Sequence, residues 1–398
     1  MTEKVDIDKA TFEFRKAIES NPDDPDAYIH LGKALTQRGY YERAVKQYKI
    51  AIKIDSAHPS AYYELGNVLN KLGLWDEAIQ EYNKAIEVDP EFILTYNDLG
   101  LALINIGDID NAIKQFRKAI KFNPKGANAY SNLGNLLSDK GNLAGAIKQY
   151  KKAIEINPKY ARAYFNLGTT LYNKGDLNEA IKQFEKAIEL KAGYANAHHN
   201  LGMALSDKGD SNEALKHYRK AAEINPSDAM TYYNIGIELS AQGDKEGAIQ
   251  QYNKAITLNP NHADSYTNQA NAMSSLGNIE GAIQNYMKAI ELDPKSTAAH
   301  TSLGFANLKI GKLQASKKAF QESYKLKSGG IILMNLGHVY LAENQTEKAH
   351  EYYARCRDLY NDDKSFIIDM ESDYEVCNFK QYKIEKRTFS EMLEKLTS

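Results

Sequence analysis

Glycine returns every thirty-four residues along most of this chain. Gly32, Gly66, Gly100, Gly134, Gly168, Gly202 and Gly236 keep the interval; Ala270 fills the next slot and Gly304 resumes the series. A second series, from Gly39 through Gly73, Gly107, Gly141, Gly175, Gly209, Gly243 and Gly277 to Gly311, runs in phase with the first. Alanines keep the same beat at Ala44, Ala78, Ala112, Ala146, Ala180, Ala214, Ala248 and Ala282, and Pro90, Pro124, Pro158, Pro226, Pro260 and Pro294 close many units. Series of different residue types locked to one period require an array of like units rather than an assembly of unrelated elements.

One unit, residues 161–194, shows what is repeated. Tyr164, Leu167, Gly168 and Leu171 fall at i, i+3, i+4 and i+7, a single stripe on a helix. Gly175 suits the left-handed residue that ends that helix, and Asp176 is placed to cap the next. Ala180, Ile181, Phe184, Ala187 and Ile188 then form a second stripe. The unit is therefore an antiparallel helix pair, with Gly168, Ala180 and Ala187 small enough for the two backbones to approach closely. One pair cannot bury these stripes alone, whereas stacked pairs can, so the expected fold is an all-α solenoid.

The pattern resembles the tetratricopeptide repeat family. Residues 59–92 carry it as Tyr62, Leu65, Gly66, Leu69, Ala78, Tyr82, Ala85 and Pro90. Ten such units begin near 25, 59, 93, 127, 161, 195, 229, 263, 297 and 330, giving a repeat region over 25–363. Before it, over 1–24, Ala10, Phe14, Ala17 and Pro22 match the back half of a unit. The resemblance implies a right-handed superhelix whose first helices line the concave side and whose second helices form the outside.

The array is least regular from about residue 297. Ser316 and Ser323 stand in the alanine slots, Asn307 replaces a large apolar residue, and Asn344 takes the place of a turn glycine. The step from Gly304 to Gly337 is thirty-three, with "KSGG" at 327–330 in the gap, which reads as one shortened loop. Over 364–398, Ile367, Met370 and Tyr374 suit one more first helix. Thr388 with Glu391 forms a capping box ahead of a stripe of Phe389, Met392, Leu393 and Leu396. This tail is expected to cap the bare end of the array, the alternative being docking or self-association through the terminal helices.

No constellation of catalytic residues emerges. His-Glu-x-x-His, paired Cys-x-x-Cys and phosphate-loop motifs are absent, and the period accounts for the glycines. His198 occupies the aromatic slot of its unit and reads as core. The tyrosines at Tyr28, Tyr62, Tyr96, Tyr130 and Tyr164, and at Tyr48, Tyr82, Tyr150, Tyr218 and Tyr252, fill two repeat slots and read as packing, as does Trp75. Cys356 falls on a small-residue slot and reads as buried. No cofactor or metal site is expected, nor an enzyme. The formal charge of −2, with both signs interspersed, offers no positive groove for nucleic acid. No apolar run reaches the roughly 18 residues that span a bilayer, and the start of the chain lacks an apolar signal core. With Cys356 and Cys377 the only cysteines, a cytoplasmic protein is expected.

One residue of each first helix lies off the apolar stripe. It reads His30, Glu64, Asp98, Asn132, Asn166, Asn200, Asn234, Asn268, Ser302 and Asn335 in successive units. At about 100° per residue, Arg162, Asn166, Thr169 and Asn173 gather nearly opposite the stripe, which family geometry turns to the concave wall. An amide both donates and accepts. The run Asn132, Asn166, Asn200, Asn234 and Asn268 is therefore a candidate ladder for the backbone of an extended peptide, unless it bonds only within its own helices or to neighbouring units. Five bonds contribute on the order of 3–7 kcal/mol before ordering costs, so apolar anchors are needed. Phe165, Tyr172 and Tyr233, with His199, Met203, Met230 and Phe305, supply them. Asp139, Asp207 and Asp264 against Arg162 favour a neutral or mildly basic segment. The basic residues of a chaperone-tail clamp are missing.

The ladder also resembles the repeat region of O-linked sugar transferases, but the tail after 363 is too short for their catalytic domain. The expected role is a non-enzymatic scaffold or adaptor for a protein partner. The alternative is an accessory or regulatory subunit of a glycosyltransferase or other enzyme. Neither nucleic acid nor direct membrane insertion enters either reading.

Overall fold

The computed structural model describes the backbone over residues 2–359 and side chains over 10–359; of the remaining C-terminal residues it describes Phe366, Ile368, Met370, Phe389, Ser390 and Leu396. Two compact units divide the chain, Met1–Asn200 and Leu201–Ser398. Among the described residues every regular element is a helix.

The first unit opens with α1 (Thr2–Ser20) and continues as helix pairs: α2 (Pro25–Gln37) with α3 (Tyr41–Ile54), α4 (Pro59–Lys71) with α5 (Trp75–Val88), and α6 (Leu94–Asn105) with α7 (Ile109–Phe122). Next come α8 (Ala127–Asp139) with α9 (Leu143–Ile156) and α10 (Ala161–Asn173) with α11 (Leu177–Leu190); α12 (Ala195–Asp207) contains the boundary. The second unit continues with α13 (Ser211–Ile224), α14 (Ala229–Ala241) with α15 (Lys245–Leu258), and α16 (Ala263–Ser275) with α17 (Ile279–Leu292). It goes on to α18 (Thr297–Lys309) with α19 (Leu313–Leu326) and α20 (Gly330–Ala342) with α21 (Thr346–Arg357). The first helices begin at Pro25, Pro59, Leu94, Ala127, Ala161, Ala195, Ala229, Ala263, Thr297 and Gly330, with Ile93 ahead of α6 already in a helical conformation.

The repeat glycine sets the spacing within every pair but α16 with α17, where Ala270 fills the slot. A Cβ added at Gly168 would lie 2.7 Å from the Phe184 ring, inside van der Waals contact, so only glycine lets α10 and α11 close over Phe184. The turn between them needs a left-handed residue, and Gly175 supplies it at φ +88°. In the last pair Asn344 takes that conformation at φ 59°, as its short amide side chain allows. Six of the ten second helices end on Asn or Asp before proline, and that side chain accepts the N–H two residues on, as at Asp89–Glu91 (2.9 Å) and Asn157–Lys159 (3.1 Å). That turn carries the chain into the next first helix.

Two expectations about local packing are corrected. Asp176 precedes α11 but makes no side-chain capping bond, although Asn142, Asp244 and Asn278 do so in the same slot. Trp75 is not core: it is 40% exposed, whereas Ile109, Ile279 and Leu313 in the same slot are half-buried against core clusters. The first tyrosine series also splits, Tyr96 and Tyr130 being buried and Tyr28, Tyr62 and Tyr164 half-buried.

The irregular end keeps its polar substitutions satisfied. Ser316 Oγ donates to the Gly304 carbonyl at 2.8 Å, Ser323 shares a 2.7 Å hydroxyl contact with Thr301, and Asn307 Nδ2 donates to the Leu303 carbonyl at 2.9 Å. Three residues separate α19 from α20, where four separate α17 from α18, so the thirty-three-residue step is a shorter loop. Residues 332–341 of α20 are all buried, and their apolar side chains share one cluster with Phe366, Met370, Phe389 and Leu396. Thr388, Glu391, Ile367, Tyr374, Met392 and Leu393 lie outside the described residues.

Within each unit the first helices lie on the inner side. α2 touches α4, α4 touches α6 and α8 touches α10; in the second unit α14 touches α16, α16 touches α18 and α18 touches α20. No two successive second helices approach as closely.

Candidate functional site

The ladder asparagines stand on these inner helices, half-buried, and each described bond runs to the preceding repeat. In the first unit Asn132 Nδ2 donates to Asn97 Oδ1 at 3.0 Å, Asn166 to Asn135 Oδ1 at 2.8 Å and Asn200 to Thr169 Oγ1 at 3.2 Å. In the second, Asn268 Nδ2 donates to the Tyr233 hydroxyl at 3.0 Å. Asn234 lies half-buried on α14 and also has an interaction partner. Part of the amide is thus spent on stacking repeats. For Asn132, Asn166, Asn200 and Asn268 the carbonyl oxygen meets no hydrogen-bond donor among the described residues. One N–H anchors the side chain, and the acceptor is held in a set direction.

A second row, three residues further along each first helix, was not singled out by the sequence reading. Asn67, Asn135 and Asn271 accept the hydroxyls of Tyr82, Tyr150 and Tyr286 at 2.8, 2.8 and 2.7 Å. His338 Nδ1 meets the Tyr353 hydroxyl at 2.7 Å in the same way. The signal was present: wherever this slot holds Asn or His, the residue fifteen positions on is Tyr. Each pair ties the wall to the second helix behind it, and at Asn135 the same oxygen receives Asn166. Burial pushes the phenols of Tyr82 and Tyr150 well above the usual tyrosine value, and that of Tyr286 to about 12. They remain protonated donors at neutral pH.

The expected anchors are only partly free. Phe165 packs its ring 4.9 Å from Tyr194, and Tyr233 meets His262 edge-on at 4.8 Å; both are half-buried, as are Tyr172 and His199. Met230 is exposed. His198 is buried, with Nε2 3.2 Å from the Ala192 carbonyl.

Charge is unevenly placed. In the first unit Lys33 pairs with Glu64 at 3.2 Å. Asp98 has no cation partner among the described residues; its Oδ2 accepts the Tyr63 hydroxyl at 2.7 Å and its Oδ1 accepts Asn97 Nδ2 at 3.1 Å. Burial, and after it the Asp98 charge, pushes the Tyr63 phenol far up. Beside this group lies an inner-face cavity of about 260 Å³. In the second unit a cavity of about 320 Å³ is bordered by Asn271, Ser302, Phe305 and Lys309. There too Glu238 is 6% exposed in a slot otherwise held by Ala, Val, Leu or Thr, with Ser206 and Ser211 donating to its two oxygens.

Among the described residues no group of three or more His, Cys, Asp or Glu could hold a metal ion, and no helix is long and apolar enough to cross a membrane.

Family models described as "TPR repeat" match residues 32–73, 66–107, 103–141, 134–175 and 270–311. Models described as "Tetratricopeptide repeat" match 159–227, 193–260, 251–284 and 332–363. Among solved structures, YrrB, described as a TPR protein with an unusual peptide-binding site, is 30% identical (46% of this chain, 95% of that one, TM-score 0.42). MamA is 32% identical (42% and 97%, TM-score 0.39). The C-terminal part of a TPR repeat-containing protein from Cytophaga hutchinsonii is 18% identical (60% and 98%, TM-score 0.49). No curated protein matches the chain.

Proposed function

The chain belongs to the tetratricopeptide repeat family, and from that premise we propose that it is a non-catalytic scaffold that takes an extended segment of a protein partner along the inner faces of its first helices. The observation that carries this reading is the half-used amide. Asn132, Asn166, Asn200 and Asn268 each give one N–H to a neighbouring repeat and keep a carbonyl oxygen that meets no donor among the described residues. A fixed acceptor suits a backbone N–H, because its ordering cost is met on folding rather than on binding. The peptide-binding site named for YrrB is in keeping with such a role. The residues bordering the ladder, Phe165, Tyr172, His199 and Tyr233, give the segment half-buried aromatic surface. The burial of Phe366, Met370, Phe389 and Leu396 against α20 favours a capping role for the tail.

The test separates the two duties of the amide. Peptides selected by the full chain from a random twelve-residue library are titrated against wild type, against the Asn132→Ala/Asn166→Ala/Asn200→Ala chain and against Asn135→Ala. Asn135→Ala removes the partner of Asn166 but keeps the Asn166 carbonyl. Affinity falling roughly tenfold or more in the triple variant, and within a few-fold of wild type in Asn135→Ala, supports the reading. Equal affinity in the triple variant and wild type, with urea unfolding lowered in both variants, leaves the asparagines as repeat-stacking residues only.

A further inference from the structure

The inner face of the first unit carries a site that the ladder does not include. α6 differs from the other first helices: Ile93 and Leu94 stand where the neighbouring repeats have Ala127 and Asn128, or Ala161 and Arg162. Leu94 is 60% exposed, and burying it in a complex would recover apolar area. It borders the cavity of about 260 Å³, together with Tyr63, Ile93, Asp98, Asn123 and Asn128. One wall is aliphatic and aromatic, and the polar groups are a single carboxylate and amides.

The carboxylate is prepared for one kind of partner. Asp98 takes Tyr63 on Oδ2 and Asn97 on Oδ1, one bond on each oxygen. A carboxylate has about four acceptor positions, so one remains on each oxygen, the arrangement a planar fork of two N–H donors requires. Glu64 has Lys33; Asp98 has no cation among the described residues. An ammonium can reach both oxygens, as Lys152 does on Glu155 at 2.8 Å each, but only from one nitrogen set between them; it lacks the two parallel N–H donors of the fork, and its compact head would not stack on the Tyr63 ring as a guanidinium does.

We propose that this cavity receives an arginine side chain of the partner segment, its aliphatic stem along Ile93 and Leu94 and its guanidinium on Asp98. Arginine stems bury along apolar surface while the head stays on a polar partner, and the cavity offers both in sequence. Asn128 borders it and offers a carbonyl oxygen to a remaining N–H group, whereas Asn123 Oδ1 already accepts the Lys125 N–H at 3.2 Å. The site rests on the groove-binding reading above, and it puts the charged determinant ahead of the asparagine ladder, at the third repeat.

Two measurements on the full chain keep the two readings apart. In the first, methyl-labelled protein is titrated with N-acetyl-arginine amide, N-acetyl-lysine amide and N-acetyl-citrulline amide. Saturable shifts at the Ile93 and Leu94 methyls are expected with arginine, weaker ones with lysine and none with uncharged citrulline, and Asp98→Asn abolishes the arginine response. Equal response to citrulline, or an undiminished response in Asp98→Asn, overturns the proposal. In the second, the random library is selected on wild type and on Asp98→Asn. Arginine enriched at one position by wild type only, with those peptides binding Asp98→Asn about 10- to 100-fold more weakly, supports it. Groove-binding peptides without arginine overturn the pocket while leaving the scaffold reading intact. Failure to select any peptide overturns the scaffold reading, and the methyl titration then decides the pocket by itself. Proper folding of Asp98→Asn is checked by its unchanged Asn132 and Asn166 amide signals.

Discussion

Asn166 donates its side-chain amide to Asn135 at 2.8 Å across the seam between two repeats. Asn135 in turn accepts the Tyr150 hydroxyl, so one oxygen joins a first helix, the second helix behind it and the next first helix. A double-mutant cycle with Asn135→Ala and Asn166→Ala should give a coupling of about 0.5–1.5 kcal/mol in urea unfolding. Coupling near zero would mean that the seam is held by apolar stacking alone.

Gly168 and Gly175 have opposite reasons for being glycine. Alanine at 168 would press on Phe184 and should cost about 1–3 kcal/mol, with part recovered by Phe184→Leu. Alanine at 175 meets no neighbour within 4 Å but must hold φ +88°, a backbone penalty of about 1–2 kcal/mol that Phe184→Leu leaves unchanged. Thermal denaturation of the two single and two double variants distinguishes the mechanisms.

Glu238 fills a core slot with a carboxylate bound by Ser206 and Ser211. The slot accepts valine at Val68 and Val339. Valine removes the desolvation cost of the buried carboxyl group, and the half-buried Ser206 and Ser211 hydroxyls can turn to water, so Glu238→Val should leave stability within about 1 kcal/mol of wild type in urea unfolding. Ser206→Ala, which strips one donor from the buried carboxylate, should lower it by roughly 1–3 kcal/mol.

Tyr286 links stability to alkaline pH. Burial raises its phenol from 10.0 to about 12, so the unfolded chain loses this proton first. Its contribution is fully present below pH 10 and is lost as pH rises from there through about 12, on the order of 2 kcal/mol. Tyr286→Phe should flatten the fall in melting temperature across that window. It should also lower stability at neutral pH by about 1 kcal/mol through the lost bond to Asn271.

The helix pairs were legible in the sequence because their determinants are local and periodic. Leu167, Gly168, Ala180 and Phe184 each recur at fixed spacing, and thirty-four-residue steps carry them into the same contacts. The position of the ladder on the first helices was legible too, but not its double use. Whether an amide faces outward or bonds sideways depends on the register between repeats, here Asn166 with Asn135, thirty-one residues earlier, against Asn132 with Asn97, thirty-five earlier. No stripe within one helix contains that information. The cavity at Asp98 was missed for a similar reason, since Tyr63, Ile93 and Asn128 meet only after three repeats stack. Trp75 and Asp176 misled because a repeat slot fixes where a residue sits, not how its side chain is spent.

Within the first unit every close helix contact among the described residues runs to the next helix or the one after it. Contacts of such short range leave no distant strand or clasp among the described residues to hold the ends of that unit. Under tension applied at the two ends of one unit, resistance would come from one seam at a time, and each seam is a modest apolar contact with a few amide bonds such as Asn166–Asn135. Such a unit would extend as a soft spring, losing pairs stepwise from an end, and regain them in the same manner when released.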